Sequence, residues 1–386
     1  MDRKIIFINS HPIQYFAPLY SYLNAEGLDV SCWYCSDENV KGHMDRQFGK
    51  QVKWDIPLLE GYQFRFFRNY SWKPSLYHGF FGLFNPGMIK ALFKAPKSII
   101  VIHGWAYLTH VLIIFLGRFA GHIVCLRGES PLNQEILKSK LTKLIKRVVL
   151  QSLLFPFVQR FLYIGTQNKL FYQYYGVQES KLIFTPYAVD NSRFRAAANE
   201  LIPTRNQLRE KFGLPVDARI ILFAAKFIQK KRPLDLLEAY DNLSISNKCL
   251  VMIGDGELRS QIENLIAQRS IPRVFLPGFV NQTEIVNYYA MADVFVLCSG
   301  EGETWGLSVN EALNFQLPVV VSDMAGCADD LVEVGKNGFI NQMGNIDDLR
   351  TKLEEVFRLS ELKDEDYNPL DTFSYKTIAD SLKQVA

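Results

Sequence analysis

A chain of 386 residues is long enough to form two domains, each with its own hydrophobic core. A hydrophobic content of 48% and a charged content of 22% are typical of a folded globular protein, and a net charge of +3 without a basic tail argues against a nucleic-acid-binding protein. The longest apolar run is too short to cross a bilayer and there is no signal-peptide core, so we expect a cytoplasmic protein.

The first half of the chain alternates short apolar runs with loops and helical stretches. Continuous apolar runs suit a parallel sheet covered on both faces, and their alternation with helices predicts a doubly wound α/β domain. Cys32 and Cys35 lie in and beside one such run without a second CxxC, which favours buried, reduced thiols over a zinc site. The predicted strands cover residues 4–9, 28–34, 63–67, 98–103, 122–127, 161–165 and 181–185.

Polar residues at the carboxyl ends of these strands are candidate site residues, because ligands bind there in doubly wound sheets. His11 follows the first predicted strand, His103 ends the fourth and Arg127 ends the fifth. An imidazole beside Gly104 can contact a ligand or move a proton, and the alternative is a half-buried histidine bonded to a neighbouring carbonyl. The same choice stays open for His11, since a purely structural turn before Pro12 would look identical.

A basic and apolar segment covers residues 138–161. It predicts an amphipathic helix, which can lie on an anionic membrane surface or can be an ordinary surface helix with its lysines in water. Residues 70–84 are rich in aromatic side chains and are expected to form a loop near the same surface. The cations in the first ten residues of the basic segment are Lys138, Lys140, Lys143, Lys146 and Arg147.

The α/β pattern restarts in the second half. A polar stretch at residues 190–215 contains no predicted strand and is interpreted as the linker into a second domain. Neither half has a GxGxxG after its first strand or a P-loop, which argues against a dehydrogenase and a P-loop kinase. The predicted strands cover residues 219–224, 249–254, 274–277, 293–298, 318–323 and 338–341, and the helices 233–242, 257–269, 282–291, 305–315 and 346–359.

Residues 299–323 place Glu303 in a glycine-containing loop and Glu311 in the predicted helix that follows. Eight positions span slightly more than two helical turns, so the two carboxylates can face the same side. Both would border the amino-terminal end of the helix, whose free amides bind anions, and this favours a phosphorylated ligand. Two glutamates on one helix face are also common on a solvated surface, and the spacing alone leaves both interpretations open.

Two further loops of the second half carry candidate binding residues. Lys226 and Lys231 follow the predicted strand at residues 219–224, and cations at a strand end can hold a diphosphate as point charges. Gly254 ends the next strand, where a glycine turn can bring backbone close to a ligand. Such a turn is also common without any ligand.

Five motifs in a fixed order make the second half recognisable. They read ILFAAKFIQKKRPLDLLEAY, LVMIGDGELRSQIE, VFLPGFVNQTEIVNYYAMADVFVLCS, ETWGLSVNEAL and LPVVVSDMAGCADDLVEVGKNGFI. From about residue 219 to 339 the chain resembles the donor-binding domain of the retaining glycosyltransferases of family 4, the glycosyl transferases group 1. The resemblance implies the GT-B fold, in which two doubly wound Rossmann-like α/β domains face each other across a cleft.

The resemblance also implies domain boundaries and residue roles. Residues 1–190 would bind the acceptor and residues 191–366 the nucleotide-sugar donor, and a helix within residues 367–386 would cross back to the first domain. Glu311 would hold the ribose of the nucleotide sugar, and Glu303 would sit against the donor sugar.

The remaining candidates fall on both sides of the implied cleft. His103 would line it near the donor sugar and act with Glu303 in catalysis, while His11 and Arg127 are the candidates on the acceptor side. Lys226 stands where the family usually carries an arginine. The lysine keeps the positive charge but cannot form the two parallel hydrogen bonds that an arginine makes to a phosphate. Together with Glu311, the residues implied in donor binding are Lys226, Lys231, Gly254, Thr304, Trp305, Gly306 and Leu307.

The activity implied by the resemblance is a hexosyltransferase-type glycosyl transfer. A sugar would move from a UDP- or GDP-sugar to a hydroxyl of a glycan or lipid-linked acceptor, with retention of configuration, in cell-surface polysaccharide biosynthesis. Lysines and helix amides can stabilise the leaving diphosphate, so no metal or other cofactor is expected. The alternatives are a nucleotide-sugar epimerase on the same fold and a non-catalytic sugar-nucleotide-binding protein. We also expect peripheral membrane contact through residues 138–161 at the inner face of the cell membrane, and no nucleic-acid partner.

Overall fold

The computed structural model describes residues 3–38, 40, 43–45, 50–359 and 369–385. These residues form two compact units, each described by itself below. The expected tail at residues 367–386 therefore lies partly outside the described residues, at 367, 368 and 386. The first unit comprises Met1–His43, Ile56–Tyr187 and Phe373–Ala386, and the second comprises Met44–Asp55 and Ala188–Thr372.

Strands and helices alternate along most of the described chain. The strands are β1 (Ile5–Asn9), β2 (Val30–Tyr34), β3 (His43–Asp45), β4 (Lys50–Val52), β5 (Gln63–Phe66), β6 (Ile99–His103), β7 (Ile123–Arg127), β8 (Arg160–Tyr163), β9 (Leu182–Phe184), β10 (Arg219–Ala224), β11 (Lys248–Ile253), β12 (Val274–Gly278), β13 (Val294–Leu297), β14 (Val319–Ser322) and β15 (Gly338–Asn341). The helices are α1 (Ala17–Ala25), α2 (Pro86–Lys94), α3 (Leu108–Phe119), α4 (Leu132–Glu135), α5 (Lys140–Val148), α6 (Thr166–Tyr174), α7 (Asn191–Leu201), α8 (Arg205–Lys211), α9 (Pro233–Asp241), α10 (Arg259–Arg269), α11 (Ile285–Met291), α12 (Leu307–Leu313), α13 (Ala328–Leu331), α14 (Ile346–Leu359) and α15 (Tyr375–Lys383).

The first unit contains a seven-stranded parallel sheet in the order β5-β2-β1-β6-β7-β8-β9. Its central strands are buried almost along their whole length, as continuous isoleucine and valine runs require when helices cover both faces. Chain order reverses between β1 and β6. This reversal is a topological switch point, where the loops after two adjacent strands diverge and leave room for a ligand.

The second unit contains a six-stranded parallel sheet in the order β12-β11-β10-β13-β14-β15. Its switch point lies between β10 and β13. Each strand predicted from the two halves of the sequence is present, within about two residues at either end. The prediction of two doubly wound α/β sheets is confirmed.

The interpretation of residues 190–215 as a linker is wrong, because the stretch forms helices α7 and α8. The Asp190 side chain accepts a hydrogen bond of 3.0 Å from the Arg193 amide and caps α7, whose run of alanines has high helix propensity. Phe194 on this helix is buried, and its ring packs against Tyr289 and Phe315. The segment is therefore part of the second unit's packed structure.

The basic segment is shorter as an α-helix than predicted. After α5 the chain forms a π-helical turn at Val149–Leu154 and a 3₁₀ turn at Phe155–Phe157, where Pro156 cannot donate a helical hydrogen bond. Residues 70–84 form a loop with a 3₁₀ turn at Gly79–Gly82, and the Trp72 side chain is 95% exposed. Every helix in the part of the chain that the structure describes falls short of the length and apolarity that a bilayer crossing requires.

Helix α15 completes the first unit. The Ser374 side chain caps it by accepting from the Thr377 amide. Its first residue, Tyr375, packs its ring 5.7 Å from that of Tyr22 on α1, and Phe373 lies 5.6 Å from Phe184. The end of the chain is thus held to the first unit by aromatic contacts.

Candidate active site

The switch point of the second unit brings together two loops that carry predicted site residues. Lys226 and Lys231 lie on the loop after β10, and Glu303 lies on the loop after the adjacent strand β13. The Gly300 amide donates a hydrogen bond of 2.7 Å to the Lys230 carbonyl and fastens the two loops to each other. Charged side chains from separate parts of the sequence therefore meet at the carboxyl end of the sheet.

Glu303 is buried and forms an ion pair with Lys231. Its residue surface is only 7% exposed, so the interpretation of a solvated carboxylate does not apply. Burial raises the pKa of Glu303, but the nearby charges of Lys231 and Lys230 outweigh burial and hold the pKa below its usual value. The loop thus presents an ionised carboxylate with a lysine beside it.

Glu311 on α12 is 1% exposed and accepts hydrogen bonds from neutral side chains. The Tyr289 hydroxyl donates a hydrogen bond of 2.7 Å to one carboxylate oxygen, and the Gln282 amide lies 3.5 Å from the other. Arg193 donates to both the backbone and the side-chain oxygen of Gln282 at 2.9 and 2.8 Å. These three supporting residues were missed in the sequence, where Tyr289 is simply one of two adjacent tyrosines in a helical stretch.

Close backbone packing explains the glycines of the predicted site. Gly306 has φ of +107°, and a Cβ there would lie 2.4 Å from the Leu297 side chain. Gly254 has φ of +144°, and a Cβ there would lie 2.0 Å from the Ala225 carbonyl oxygen. Both positions therefore require glycine so that loops at the strand ends can approach each other.

The other predicted donor residues line the same loops. The Trp305 side chain is buried and donates a hydrogen bond of 2.9 Å to Asn310, so a ligand can meet only its backbone. Lys226, Thr304 and Leu307 have partly exposed side chains. Their predicted roles in binding a diphosphate stay predictions.

In the first unit, His103 and Arg127 lie side by side. They are register partners at the carboxyl ends of adjacent strands β6 and β7. Phe16 joins them, since its ring lies 4.5 Å from the imidazole and 5.5 Å from the guanidinium. His11 follows β1 at the same switch point, and its Nδ1 lies 2.9 Å from the Ser10 hydroxyl.

The surroundings of His103 favour the neutral imidazole. Burial, together with the Arg127 cation and His110 nearby, holds the pKa of His103 well below its usual value. Its Nε2 lies 3.4 Å from the Tyr20 hydroxyl, while Nδ1 is buried without a hydrogen-bond partner. The alternative of an imidazole bonded to a neighbouring carbonyl is therefore not seen.

Arg127 is a buried cation surrounded mainly by carbonyls and rings. It is 3% exposed, donates from Nη2 to the carbonyls of Thr185 and Pro186 at 3.3 and 3.1 Å, and lies 4.7 Å from the Tyr187 ring. Its Nη1 is buried without a hydrogen-bond partner. The Tyr187 hydroxyl donates to Glu129, which places a carboxylate in the same cluster.

Comparison with solved structures identifies the fold. A glycosyltransferase from Rickettsia africae aligns with 100% of this chain and 98% of its own at a TM-score of 0.72 and 15% identity. HepE from Anabaena, solved in complex with UDP and glucose, covers 99% of this chain and 100% of its own at a TM-score of 0.67 and 14% identity. Together with the two parallel sheets, these likenesses show the two-domain α/β GT-B fold.

Sequence comparison finds a family model and curated relatives that match part of the second half. Residues 204–368 match the family model described as glycosyl transferases group 1. The α-monoglucosyldiacylglycerol synthase of Acholeplasma laidlawii is 34% identical over 35% of this chain and 34% of its own length. The sulfoquinovosyl transferase SQD2 of Arabidopsis thaliana is 37% identical over 30% of this chain and 22% of its own. This chain thus matches about a third or less of these two relatives. Glu303, Glu311 and Lys231 lie within the residues that match the family model.

Proposed function

We propose that this protein is a retaining glycosyltransferase of family 4. It transfers a sugar from a UDP- or GDP-sugar to a hydroxyl of a glycan or lipid-linked acceptor, in cell-surface polysaccharide biosynthesis. The observation that carries the proposal is the buried Glu303–Lys231 pair at the switch point of a segment that matches glycosyl transferases group 1. Relatives named as synthases and transferases of sugar-bearing lipids and polymers support the class of acceptor.

Breaking the bond between sugar and diphosphate places negative charge on the leaving group and positive charge near the anomeric carbon. Lys231 and Lys226 supply cations for the diphosphate, in the role that part-buried lysines can fill as point charges. The ionised Glu303 carboxylate lies beside them and can accept hydrogen bonds from the donor sugar. Glu311, held by Tyr289, can accept hydrogen bonds from the ribose hydroxyls.

His103 completes the proposed catalytic residues. Because the low pKa of His103 keeps its imidazole neutral, the ring can accept a hydrogen bond from a sugar hydroxyl instead of repelling a cationic transition state. His11 and Arg127 at the same end of the sheet are proposed to contact the acceptor. No step of this mechanism uses a metal, and full turnover in the presence of a chelator would agree with that prediction.

The test is a panel of nucleotide sugars, incubated with the protein with and without glycan and lipid-linked acceptors. We expect one UDP- or GDP-sugar to raise the melting temperature, and nucleotide release to depend on the acceptor. Conversion of the donor without any acceptor would instead identify an epimerase. Binding without turnover across a broad acceptor panel would identify a non-catalytic sugar-nucleotide-binding protein.

We further infer that the protein works at the inner face of the cell membrane, because helix α5 turns its apolar side to solvent. None of the residues of α5 is buried. Its apolar residues, Leu141, Leu144, Ile145 and Val148, are 66%, 57%, 56% and 55% exposed. An ordinary surface helix buries such residues, so that alternative from the sequence does not fit α5.

The polar side of α5 is the side that holds the helix in place. Lys146 donates a hydrogen bond of 2.7 Å to the buried Glu135 carboxylate, which also accepts from Lys138 at 2.9 Å and from the Tyr175 hydroxyl at 2.7 Å. The exposed apolar row therefore lies among the remaining cations Lys140, Lys143 and Arg147. This combination matches an anionic lipid surface, which takes up apolar side chains and attracts lysine and arginine.

Sedimentation with vesicles tests the membrane contact. We expect binding to vesicles that contain phosphatidylglycerol and little binding to neutral phosphatidylcholine vesicles. Leu144→Gln with Ile145→Gln should weaken vesicle binding by about tenfold, because two partly inserted side chains are lost. Val334→Gln is the matched control, since Val334 is 59% exposed in the second unit. Equal binding of all three proteins would overturn the assignment.

A further inference from the structure

A groove of about 670 Å³ lies in the first unit between helix α2, the edge strand β5 and its neighbour β2. Its lining includes Lys4 just before β1, Ser31 near the start of β2 and Gln63 at the start of β5. All strands of this sheet are parallel, so the groove lies at their amino-terminal edge. His103 and Arg127 lie at the carboxyl-terminal edge, and the groove is therefore separate from the candidate active site.

Four cations surround this groove. They are Lys4, Arg65, Lys90 and Lys94, and no aspartate or glutamate contributes to the lining. Lys4 donates to Gln63 at 2.8 Å and lies 3.4 Å from Asp29, whose side chain is 62% exposed. Within the described ranges, no carboxylate pairs with Arg65, Lys90 or Lys94. The groove thus has an excess of positive charge that the described chain does not neutralise.

The floor of the groove contains an unused hydrogen-bonding group. Ser31 is 5% exposed, and its hydroxyl oxygen is buried without a hydrogen-bond partner. Buried hydroxyls are normally paired, so this group points to a ligand atom that completes its bonding. Trp33 lies beside it in the floor. Gly87 on α2 has no side chain to narrow the opposite wall.

We propose that this groove binds an anionic oligosaccharide, a stretch of sugar chain that carries carboxylate or phosphate groups. The cations match the anionic groups, and the Ser31 hydroxyl matches a sugar hydroxyl. The volume lies within the range of small-molecule sites, about 300–1,000 Å³. The anion preference follows from the groove alone, while the choice of a glycan rests on the proposed function.

Because the groove is distant from the switch point, its ligand is not the reacting hydroxyl. It serves as a docking site for a part of an acidic polymer away from the growing end. Such a site adds affinity for long chains without new contacts at the catalytic residues, since the second binding event becomes intramolecular.

Isothermal titration of the full chain tests the proposal directly. The probes are a galacturonate hexamer, a neutral maltohexaose of the same length, and inorganic phosphate. We expect the acidic oligosaccharide to bind, to weaken when the salt concentration is raised about tenfold, and to bind at least about tenfold more tightly than the other two probes. Equal binding of maltohexaose would overturn the anion preference, and equal binding of phosphate would overturn the glycan assignment.

Two variants locate the binding in the groove. Lys90→Gln with Lys94→Gln, both exposed positions on α2, should weaken oligogalacturonate binding by about tenfold. Ser31→Ala should weaken it by about threefold, since one hydrogen bond is lost. Lys376→Gln on α15 is the matched control and should leave the affinity unchanged. A loss of affinity as large in the control as in the groove variants would show that the oligogalacturonate does not bind in the groove.

A failure of the groove assignment can be told apart from a failure of the proposed glycosyltransferase function. These titrations measure binding without turnover, so sugar transfer with no oligogalacturonate binding would contradict only the groove assignment. Groove binding with no transfer from any nucleotide sugar would contradict only the glycosyltransferase proposal. Circular dichroism and the melting temperature of each variant confirm that the first unit is folded.

Discussion

The two units hold their candidate residues in different ways. In the second unit, each buried carboxylate has a partner: Glu303 pairs with Lys231, and Glu311 accepts a hydrogen bond from Tyr289. In the first unit, His103 Nδ1 and Arg127 Nη1 are both buried without hydrogen-bond partners. Buried polar atoms cost free energy when they are left unpaired, so His103 and Arg127 carry a cost that Glu303 and Glu311 avoid.

In the second unit, the candidate side chains are therefore positioned by their own hydrogen bonds and ion pairs. In the first unit, His103 and Arg127 each keep a nitrogen that can still form a hydrogen bond with a ligand. Ionised groups in fixed positions suit a donor with a constant chemical structure, a diphosphate and two sugars. The first unit instead holds a cluster of a neutral imidazole, a buried guanidinium and aromatic rings. This cluster suits a ligand whose polar groups form hydrogen bonds with the unpaired nitrogens of His103 and Arg127. Substitutions in the second unit are therefore expected to affect donor binding, and those in the first to affect turnover.

The largest effect is expected from Glu303→Gln. The exchange keeps the side-chain volume but removes the ionised carboxylate and leaves the Lys231 cation unpaired, so kcat/KM should fall by about 10²–10³-fold. The measurement is acceptor-dependent release of UDP or GDP. Glu301→Gln, two positions away and exposed, is the control and should keep full activity. A Glu303→Gln variant as active as the native protein would refute the role of the ion pair.

A somewhat smaller loss is expected from His103→Ala. Removing the neutral imidazole should lower kcat by about 10²-fold, the contribution usual for a group that assists proton movement. Donor affinity, measured by titration with the nucleotide sugar, should remain within about twofold. His78→Ala, at an exposed position, controls for the loss of a histidine. If His103→Ala weakened donor binding as much as turnover, the contrast between the two units would be wrong.

The sequence was sufficient to predict the second unit in detail and the first in outline. Strand boundaries followed from continuous apolar runs, because a parallel sheet buried on both faces tolerates few polar residues. The residues Glu303 and Glu311 could be found since five motifs surround them in order. Their actual partners could not be found, because Lys231 and Tyr289 reach them only through the packing of separate loops and helices.

Two parts of the chain were predicted poorly for a common reason. Residues 190–215 look like a linker because their polar composition hides the cap at Asp190 and the buried Phe194. The periodicity of residues 138–161 shows an amphipathic helix but does not show which side is attached to the unit. That side is set by the hydrogen bond from Lys146 to the buried Glu135, which also accepts from Tyr175, and no local pattern reveals these contacts.

Acidification of a Lys231→Met variant tests why Glu303 is ionised. In the native protein, the pKa of Glu303 is lowered, so the pair stabilises the fold above the usual glutamate pKa and loses this contribution as pH falls through the lower, folded-state value. Without Lys231, burial remains and raises the pKa. The variant should therefore be destabilised by about 2 kcal/mol at neutral pH, less than for a fully buried pair because Lys231 is partly exposed.

The decisive measurement is how the loss of stability in Lys231→Met, relative to the native protein, changes with pH. As pH falls from neutral towards the usual glutamate pKa, Glu303 in the variant can take up a proton and stop being a buried unpaired charge, so the difference in melting temperature should shrink. Lys230→Met, in the same loop, is the control and should show a smaller deficit because the Lys230 charge lowers the pKa of Glu303 less than the Lys231 charge does. A deficit that stays constant over this pH range would show that Lys231 stabilises the loop by packing alone.

The smallest effect is expected from Tyr289→Phe, which removes one hydroxyl and tests the support of Glu311. The lost hydrogen bond to a buried carboxylate costs about 1–2 kcal/mol, and part of it should appear as an about fivefold weaker affinity for the nucleotide. The adjacent Tyr288→Phe is a matched control, since the Tyr288 ring packs against Phe212 and lies outside the Glu311 contacts described above. Equal nucleotide affinity in both variants would mean that Glu311 is positioned by its helix and not by Tyr289. In that case the backbone of α12 would position Glu311, and the difference between the two units would rest on the Glu303–Lys231 pair alone.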